Sequence, residues 1–473
     1  MFTFPRCQAI PPPRWTLLLI VLSALLLRLF ALNQRGFWFD EAFAYQIAKL
    51  PISNIILVSL SDNHPPLYYI LLHFITFISH AKYILRLPSL IFSITSIPLL
   101  FVLVKRHINK SVALLSILLF AISPLSIYLA TESRSHGMAT FFGLLVSLVF
   151  LRYMQRPTIP LLSLFILLSV ISLHIHYYIA LLLIACTTII VFAKTKVSMK
   201  TWIVALLIIF ISFLPYVILS MTKQGNMCYC PKTLLALPAS LIAPIINGVG
   251  IVSMRSFTDL PLPLLTLLSI TSILSLLFFM RGILKKHVFS HLFLVPLITL
   301  SFFGLFFPVF SPKAFSIFLP YYCVIIAQGM YQLRNKFLVW IFFMLLAAVS
   351  IAQIVDPFFS GERIEDVYHI VKQKSDVPIA HTSFFTYYPL VYYSQNAQIN
   401  ILLTQNPLSQ DTTRFISGQR QGIAKHWEQF FLINIQKGAG TDYGIVLNDI
   451  YKQYTVVKSE SVGKIVVELL KRK

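Results

Sequence analysis

A chain of 473 residues that is 57% hydrophobic and only 11% charged, with a mean hydropathy of +0.80, departs far from the mixture in soluble domains, about half apolar and a quarter charged. It reads as a polytopic membrane protein. The formal charge of +22, from 38 Lys and Arg against 16 Asp and Glu, raises the question of a polyanion partner. However, 25 of the cations and only five acids lie before residue 355, and the tail after it is nearly balanced. Membrane topology accounts for that distribution, so no nucleic-acid partner is expected. The five cysteines exclude a disulfide scaffold, and the one close pair, Cys228 and Cys230, matches no complete metal-ligand spacing.

A spanning helix needs about 20 apolar residues. Eleven such segments are predicted, beginning with Trp15 to Leu32 and continuing near 84–104, 111–130, 136–152, 160–176, 177–194, 201–220, 260–280, 289–309, 313–332 and 336–354. The first follows a basic, proline-rich tip and lacks a clear small-residue cleavage site, so it is expected to stay as an anchor. Two further apolar stretches, 65–79 and 236–253, are assigned by the positive-inside rule. Counting neither as a crossing puts Arg6, Arg14, Lys105, Arg106, Lys110, Arg152, Arg156 and the other basic residues of acid-free short loops on one side, the cytoplasmic one. Residues 65–79 then become an interfacial helix in the first outer loop, with Leu67, Ile70, Leu71, Phe74 and Ile78 on one face.

The expected division is a transmembrane domain over 1–354 and an extracytoplasmic domain over 355–473. In the tail, short apolar runs at 377–380, 399–403, 443–447 and 464–467 alternate with helix-like pieces such as Ile364 to Lys374. A small α/β domain is predicted there. No repeat with a period of 20–50 residues runs along the chain, and its halves show no paired broken helices of the kind found in many transporters.

The five acids before residue 355 are Asp40, Glu41, Asp62, Glu132 and Asp259. All fall on the outer face in this topology. Asp and Glu do little to set topology, so the one-sided grouping points to chemistry. Asp40 and Glu41 stand in Gly36-Phe-Trp-Phe-Asp-Glu-Ala-Phe-Ala-Tyr45, where Asp40 occupies the expected N-cap of a short helix and Glu41 has no such role. Asp62 and His64 lie in Ser61-Asp-Asn-His-Pro-Pro-Leu-Tyr-Tyr69, a connection constrained by two prolines. Glu132 and Arg134 share Thr131-Glu-Ser-Arg-Ser-His-Gly137, either shielding each other or facing a substrate. His174 and His176 lie in His174-Ile-His-Tyr-Tyr178, at the turn from the fifth span to the sixth.

This ordered set resembles the bacterial branch of the C-fold (GT-C) membrane glycosyltransferases, related to protein O-mannosyltransferases and lipid A aminoarabinose transferase. The resemblance covers most of 15–355 and rests on FDEA, DNHPPLYY, ESRSHG and HIHYY. It implies transfer of a sugar from a polyprenyl-phosphate donor to an acceptor outside the cytoplasm, a lipid, glycan or protein. It also implies inversion, with Asp40 as catalytic base and Glu41 beside it. Two departures stand out. Members often show Arg-Tyr before a late helix, where this chain has Phe310-Ser-Pro-Lys313, a cation that is not a bidentate clamp. His136 stands where relatives frequently carry tyrosine, and the sequence assigns it no role.

The chemistry is consistent with the residue types. A hydroxyl acceptor needs a carboxylate to take its proton, and a departing lipid phosphate needs cations, for which Arg134 and Lys313 are the candidates. Asp62, His64, Tyr68, Glu132, His174 and His176 are candidates for binding sugar hydroxyls or a divalent cation; the sequence does not choose between these, and no cofactor is assigned. The rival readings are a lipid-linked oligosaccharide ligase or polymerase, which would use outer-loop arginines, and a lipid or sugar transporter, which would place ionisable groups deep inside helices. Apart from Arg28 the spans hold almost none.

Overall fold

The computed structural model describes residues 15–60, 64–193, 195–222, 261–285, 287–304, 312–355, 363–374, 376–396, 399–403, 427–435 and 447–473. Asp62, Asp259, Cys228, Cys230 and the stretch 236–253 lie outside them. After α1 (Thr16–Gln34) come three short helices, α2 (Phe39–Ala48), α3 (Ile52–Ser59) and α4 (Leu67–Thr76). The apolar series follows: α5 (Lys82–His107), α6 (Lys110–Ile122), α7 (Pro124–Ala130), α8 (His136–Gln155), α9 (Ile159–Ile175), α10 (Ile179–Phe192) and α11 (Met199–Thr222). It continues with α12 (Leu262–Ile283), α13 (Val288–Gly304), α14 (Leu319–Tyr331) and α15 (Phe337–Val355).

Each of the eleven apolar segments read from the sequence coincides with a helix or a helix pair. Among the described residues, six helices are long and apolar enough to cross a membrane: α1, α5, α8, α11, α12 and α15. The pair α6–α7 makes a seventh if counted as one bent span, and α9, α10, α13 and 316–331 are shorter apolar helices. In α4, Tyr68, Tyr69 and Leu72 are buried while Phe74, with Phe77 and Ile78 just beyond, is exposed, which leaves an apolar face uncovered.

The chain forms two compact units. The first comprises Met1–Leu32, Asn63–Tyr68 and Arg86–Asp356; the second comprises Asn33–Asp62, Tyr69–Leu85 and Pro357–Lys473. The sequence puts a domain boundary near 354, and the compact unit that holds the tail also takes in most of the first outer loop.

Within the first unit, the segment read as one span at 111–130 is broken. Proline at 124 lacks an N–H and forces Ser123 into extended backbone (φ −60°, ψ 127°), so α6 and α7 meet at a 60° bend. Carbonyls at the end of α6 are thereby released, and in an apolar medium each must find a donor. Arg28, fully buried in α1, supplies one: its Nη1 donates to the Ala121 carbonyl at 2.8 Å. Its Nη2 donates to Ser126 Oγ in α7 at 2.8 Å, and its Nε to Ser93 Oγ in α5 at 3.1 Å. The Ile122 carbonyl accepts from Ser350 Oγ of α15. The one deeply placed arginine noted in the sequence thus holds both sides of the break.

Elsewhere in this unit α12 crosses α14 with backbones in contact. A Cβ at Gly282 would lie 1.9 Å from the Ile325 carbonyl oxygen, and one at Gly329 would lie 1.9 Å from that of Phe278. Small residues permit this approach, which gains dispersion contact where lipid offers no hydrophobic drive.

In the second unit the tail folds as a mixed sheet of order β2-β1-β3-β5-β4. Its elements are α16 (Ile364–Lys372), β1 (Ile379–His381), α17 (Phe384–Ser394), β2 (Asn400–Leu402), β3 (Gln429–Ile435), α18 (Leu447–Gln453), β4 (Tyr454–Val462) and β5 (Ile465–Arg472). Strands β1, β2 and β3 pair in parallel, and β5 pairs antiparallel with β3 and β4. Ala380, Ile401, Phe430, Leu432, Ile450 and Leu470 form its core. The small α/β domain is therefore present. Strands β3 and β4 are additions to the sequence reading, and the run at 443–447 falls outside the described residues except for Leu447, which begins α18. Gly463, at φ +60°, closes the tight β4–β5 turn in a conformation cheap only for glycine.

Buried His381 at the end of β1 donates from Nε2 to Asn400 Oδ1 at 3.0 Å and lies 3.1 Å, through Nδ1, from Thr386 Oγ1. Burial pushes its pKa down to about 4, partly offset by the Asn400 hydrogen bond.

Two outcomes follow. Gly282→Ala should lower the melting temperature in detergent, at a cost of about 1–3 kcal/mol or more. Gly143→Ala is the control, because a Cβ there meets Ile317 Cγ2 at an ordinary 3.4 Å and should change little. In the tail, an unfolded histidine takes up a proton near pH 6.5 and His381 does so only near 4, so its contribution is intact above about 6.5 and lost as pH falls toward 4. Amide exchange in β1 to β3 should rise between pH 6.5 and 4.5, and His381→Gln should flatten that dependence.

Candidate active site

The bend at Pro124 aims α7 so that its last turn runs into the Thr131–Ser135 connection. Arg134 N–H donates to the Glu132 carbonyl at 2.8 Å, closing this connection tightly. Ser89 Oγ of α5 donates to the Arg134 carbonyl at 3.0 Å, and Tyr68 Oη lies 3.1 Å from the same Ser89 Oγ. At Gly137 a Cβ would come within 3.1 Å of the Ser89 carbonyl oxygen, so the start of α8 lies tight against α5. Tyr68, a candidate binding residue from the sequence, is thus a buried part of the support beneath this connection.

Glu132 has no exposed surface. A buried carboxylate needs a cation and hydrogen bonds, and Lys313, 181 positions away, supplies the cation: its Nζ lies 2.5 Å from Glu132 Oε1. The ammonium also stands 5.3 Å from the centre of the Tyr128 ring, and Tyr128 Oη donates to Glu132 Oε1 at 3.4 Å. Tyr128, at i−4 to Glu132 on α7, was not singled out in the sequence; that helical spacing was its signal. The second carboxylate oxygen, Oε2, is buried and has no hydrogen-bond partner among the described residues.

The sequence left Glu132 and Arg134 either shielding each other or facing a substrate. In the structure Glu132 pairs with Lys313, while Arg134 reaches His64 on the proline-constrained connection, its Nη2 3.3 Å from both ring nitrogens. Because guanidinium only donates, a His64 ring nitrogen is the acceptor. The His64 ring lies 5.6 Å from that of His176 and 6.2 Å from that of His136, and the latter two are 5.5 Å apart. His136 is also within electrostatic reach of Lys313 and Arg134. The fold gives His136 the place that the sequence left open.

His176 Nδ1 accepts the Tyr178 N–H at 3.2 Å, which leaves the proton of the neutral ring on Nε2. That Nε2 and His136 Nδ1 are buried without a hydrogen-bond partner among the described residues. Among the described residues one cluster therefore gathers two fixed cations, three imidazoles and one carboxylate, a donor-rich set suited to a small anion with oxygens to share. His174 is not part of it: its Nδ1–H donates to the Val170 carbonyl at 2.9 Å and its ring meets Phe213 edge-on. Among the described residues, no group of three or more His, Cys, Asp or Glu is arranged to hold a metal ion.

Asp40 and Glu41 belong to the second unit. The expected N-cap role of Asp40 is corrected by the fold: helix α2 starts at Phe39 with Trp38 as its N-cap, so Asp40 and Glu41 are the second and third helical residues. Glu41, fully buried, reaches back to the Trp38 N–H at 3.5 Å. Capping thus falls to Glu41, and both carboxylates lie where the helix dipole favours negative charge.

Residues 63–219, a third of the chain, match the family described as dolichyl-phosphate-mannose-protein mannosyltransferase. That stretch holds His64, Glu132, Arg134, His136 and His176, but not Asp40 or Lys313. No curated protein matches the sequence. Among solved structures the chain is similar to ArnT from Cupriavidus metallidurans in the apo state, with 10% identity and a TM-score of 0.61 over 96% of this chain and 97% of that one. The same protein bound to undecaprenyl phosphate matches with 11% identity and a TM-score of 0.57 over 96% and 97%. Archaeal oligosaccharyltransferase AglB from Archaeoglobus fulgidus, in complex with an inhibitory peptide and a dolichol-phosphate, gives 12% identity and a TM-score of 0.48 over 82% of this chain and 64% of that one. The chain is a multi-pass membrane protein with the GT-C fold that its motifs implied.

Proposed function

We propose that this protein is a membrane glycosyltransferase that moves a sugar from a polyprenyl-phosphate donor to a hydroxyl of an extracytoplasmic lipid, glycan or protein. The observation that carries the reading is the cluster of buried Arg134, His136 and His176 with half-buried Lys313 and His64 near the Glu132 carboxylate. The phosphodiester joining lipid and sugar carries a negative charge and unesterified acceptor oxygens that such a donor set can hold, and the lipid phosphate it releases carries more charge still. The fold supports the lipid, because the solved structure with undecaprenyl phosphate shares it. The amino terminus then faces the cytoplasm and the domain over 355–473 faces outside, following the basic short loops.

In this mechanism the acceptor oxygen attacks C1 of the sugar from the face opposite the phosphate. The C1–O bond breaks, its electron pair leaves with the lipid phosphate, and the anomeric configuration inverts. Asp40 takes the acceptor proton as it departs. Lys313 and Arg134 stabilise the charge that grows on the phosphate, and the free ring nitrogens of His136 and His176 add hydrogen bonds that need no reorganisation. Glu132 holds Lys313 in place and keeps the pocket from repelling its own cations. Asp62 and His64 orient sugar hydroxyls or a divalent cation.

Purified protein given a panel of polyprenyl-phosphate sugars and nucleotide sugars should consume only the lipid-linked donors. Turnover of a nucleotide sugar alone would end the mechanism. Asp40→Asn should lower turnover by about 10²–10⁴-fold at saturating donor with an unchanged melt, the usual loss when a general base is removed. Glu41→Gln should be milder, since an amide oxygen can still accept from the Trp38 N–H. Near-normal turnover of folded Asp40→Asn would assign the base elsewhere.

A further inference from the structure

The string around Asp40 sets two adjacent acids among aromatic residues. On α2 the carboxylates at 40 and 41 are flanked by Phe37, Phe39, Phe43 and Tyr45, so any element that grips those rings fixes the rotation of the helix about its axis. Among the described residues most of the gripping contacts come from one element of the same unit, α17 of the tail, while Tyr45 also meets His80 edge-on at 5.7 Å, its Oη 3.1 Å from His80 Nδ1. Phe39 meets Phe385 at 4.6 Å and Tyr388 at 6.0 Å between ring centres, and Phe43 meets Tyr388 edge-on at 5.4 Å. A turn further along α17, Tyr392 lies 4.1 Å from Phe37 and 5.2 Å, edge-on, from Tyr45. Tyr393 Oη accepts the Phe37 N–H at 2.6 Å, a main-chain group three residues before Asp40.

The contacts alternate along both helices, so a slide or a rotation of α2 would break several ring pairs together. Packing of this kind has discrete arrangements and resists small adjustments. Two bonds fasten the far side: Tyr392 Oη donates to the His80 carbonyl at 2.9 Å, and Lys82 pairs with Glu365 at 2.8 Å. Nothing in a sheet with its own core requires such an investment in a helix of the first outer loop.

We propose that α17 of the carboxy-terminal domain is a positioning element for Asp40 and Glu41, setting the rotation of α2 through its aromatic contacts and the Tyr393 hydrogen bond. The domain is then part of the catalytic apparatus and not an appended module. The kinetic consequence rests on the assignment of Asp40 as the base; the mechanical claim does not.

The test uses the full-length protein and the double variant Phe385→Ala/Tyr388→Leu, with Tyr388→Phe as the conservative comparison that keeps the ring. Amide exchange over 37–48 should rise about tenfold or more in the double variant and stay near wild type in Tyr388→Phe. Turnover number should fall about 10–100-fold, the effect of misplacing a catalytic group by an ångström or so, with KM for the lipid-phosphate donor and binding of undecaprenyl phosphate within twofold. Unchanged exchange over 37–48 overturns the proposal, as does a double variant that loses phosphate binding and melting temperature together with turnover. A wild-type protein that transfers no lipid-linked sugar ends the proposed activity, while the exchange measurement still decides whether α17 holds α2.

Discussion

A carboxylate without exposed surface, inside a protein that is itself in a bilayer, has to be paired or neutralised, and much of the first unit is organised around how Glu132 meets that demand. Leaving such a group unpaired costs about 3–5 kcal/mol. Its partner, Lys313, comes from the far end of the membrane part, so the ion pair ties the turn before α14 to the end of α7. The position of α7 is in turn set by a covalent fact, the missing N–H of Pro124, and by the arginine that answers it. Arg28 satisfies the released Ala121 carbonyl and holds Ser126 at the same time, so the break is a fixed corner and not a soft hinge. Sequence, backbone hydrogen bonding and electrostatics here form one chain of cause.

The same demand explains why the neighbouring groups are nitrogen bases. Glu132 pairs with Lys313, and Arg134 reaches His64, whose ring nitrogens lie within 3.3 Å of its Nη2. Imidazoles can sit beside cations at low cost because they can stay uncharged, and a neutral ring still offers one donor. A cluster made of lysines and arginines alone would repel itself in an apolar interior. Among the described residues, three histidines, one guanidinium and an ion pair give a cluster that is rich in donors.

Much of this could be read from the chain. Apolar runs bounded by basic loops locate the helices because a bilayer demands length and apolarity, whereas the break at Pro124 was missed because the apolar run continues through it. The motifs at 64, 132–136 and 174–178 pointed to a site because they group on one face of the membrane, although His174 is not in the cluster. Pairings were harder. Glu132 and Arg134 are two residues apart and look like partners, yet the connection turns them to different neighbours, and Lys313 is separated from Glu132 by most of the spans. His174 and His176 look equivalent in sequence, but one lies on α9 facing Phe213 and the other caps it facing His64. In the tail, β3 was missed although its seven residues are mostly buried, because a run without alternation carries no period, and β4 because its residues are mostly exposed. The grouping of the first outer loop with the tail depends on aromatic contacts more than 300 positions apart, which no local pattern encodes.

The central claim is that the Glu132–Lys313 pair and the imidazoles beside it form the seat of a lipid phosphate. Binding of undecaprenyl phosphate to the purified protein tests it most directly, with wild type compared with the double variant Lys313→Met/Glu132→Gln. Replacing both partners removes the ammonium without stranding a buried charge, so the fold should survive, as a melt would verify. The account predicts at least about a tenfold loss of affinity, roughly 1.4 kcal/mol, in a protein of unchanged stability. Equal affinity in a well-folded double variant would contradict it and place the phosphate elsewhere.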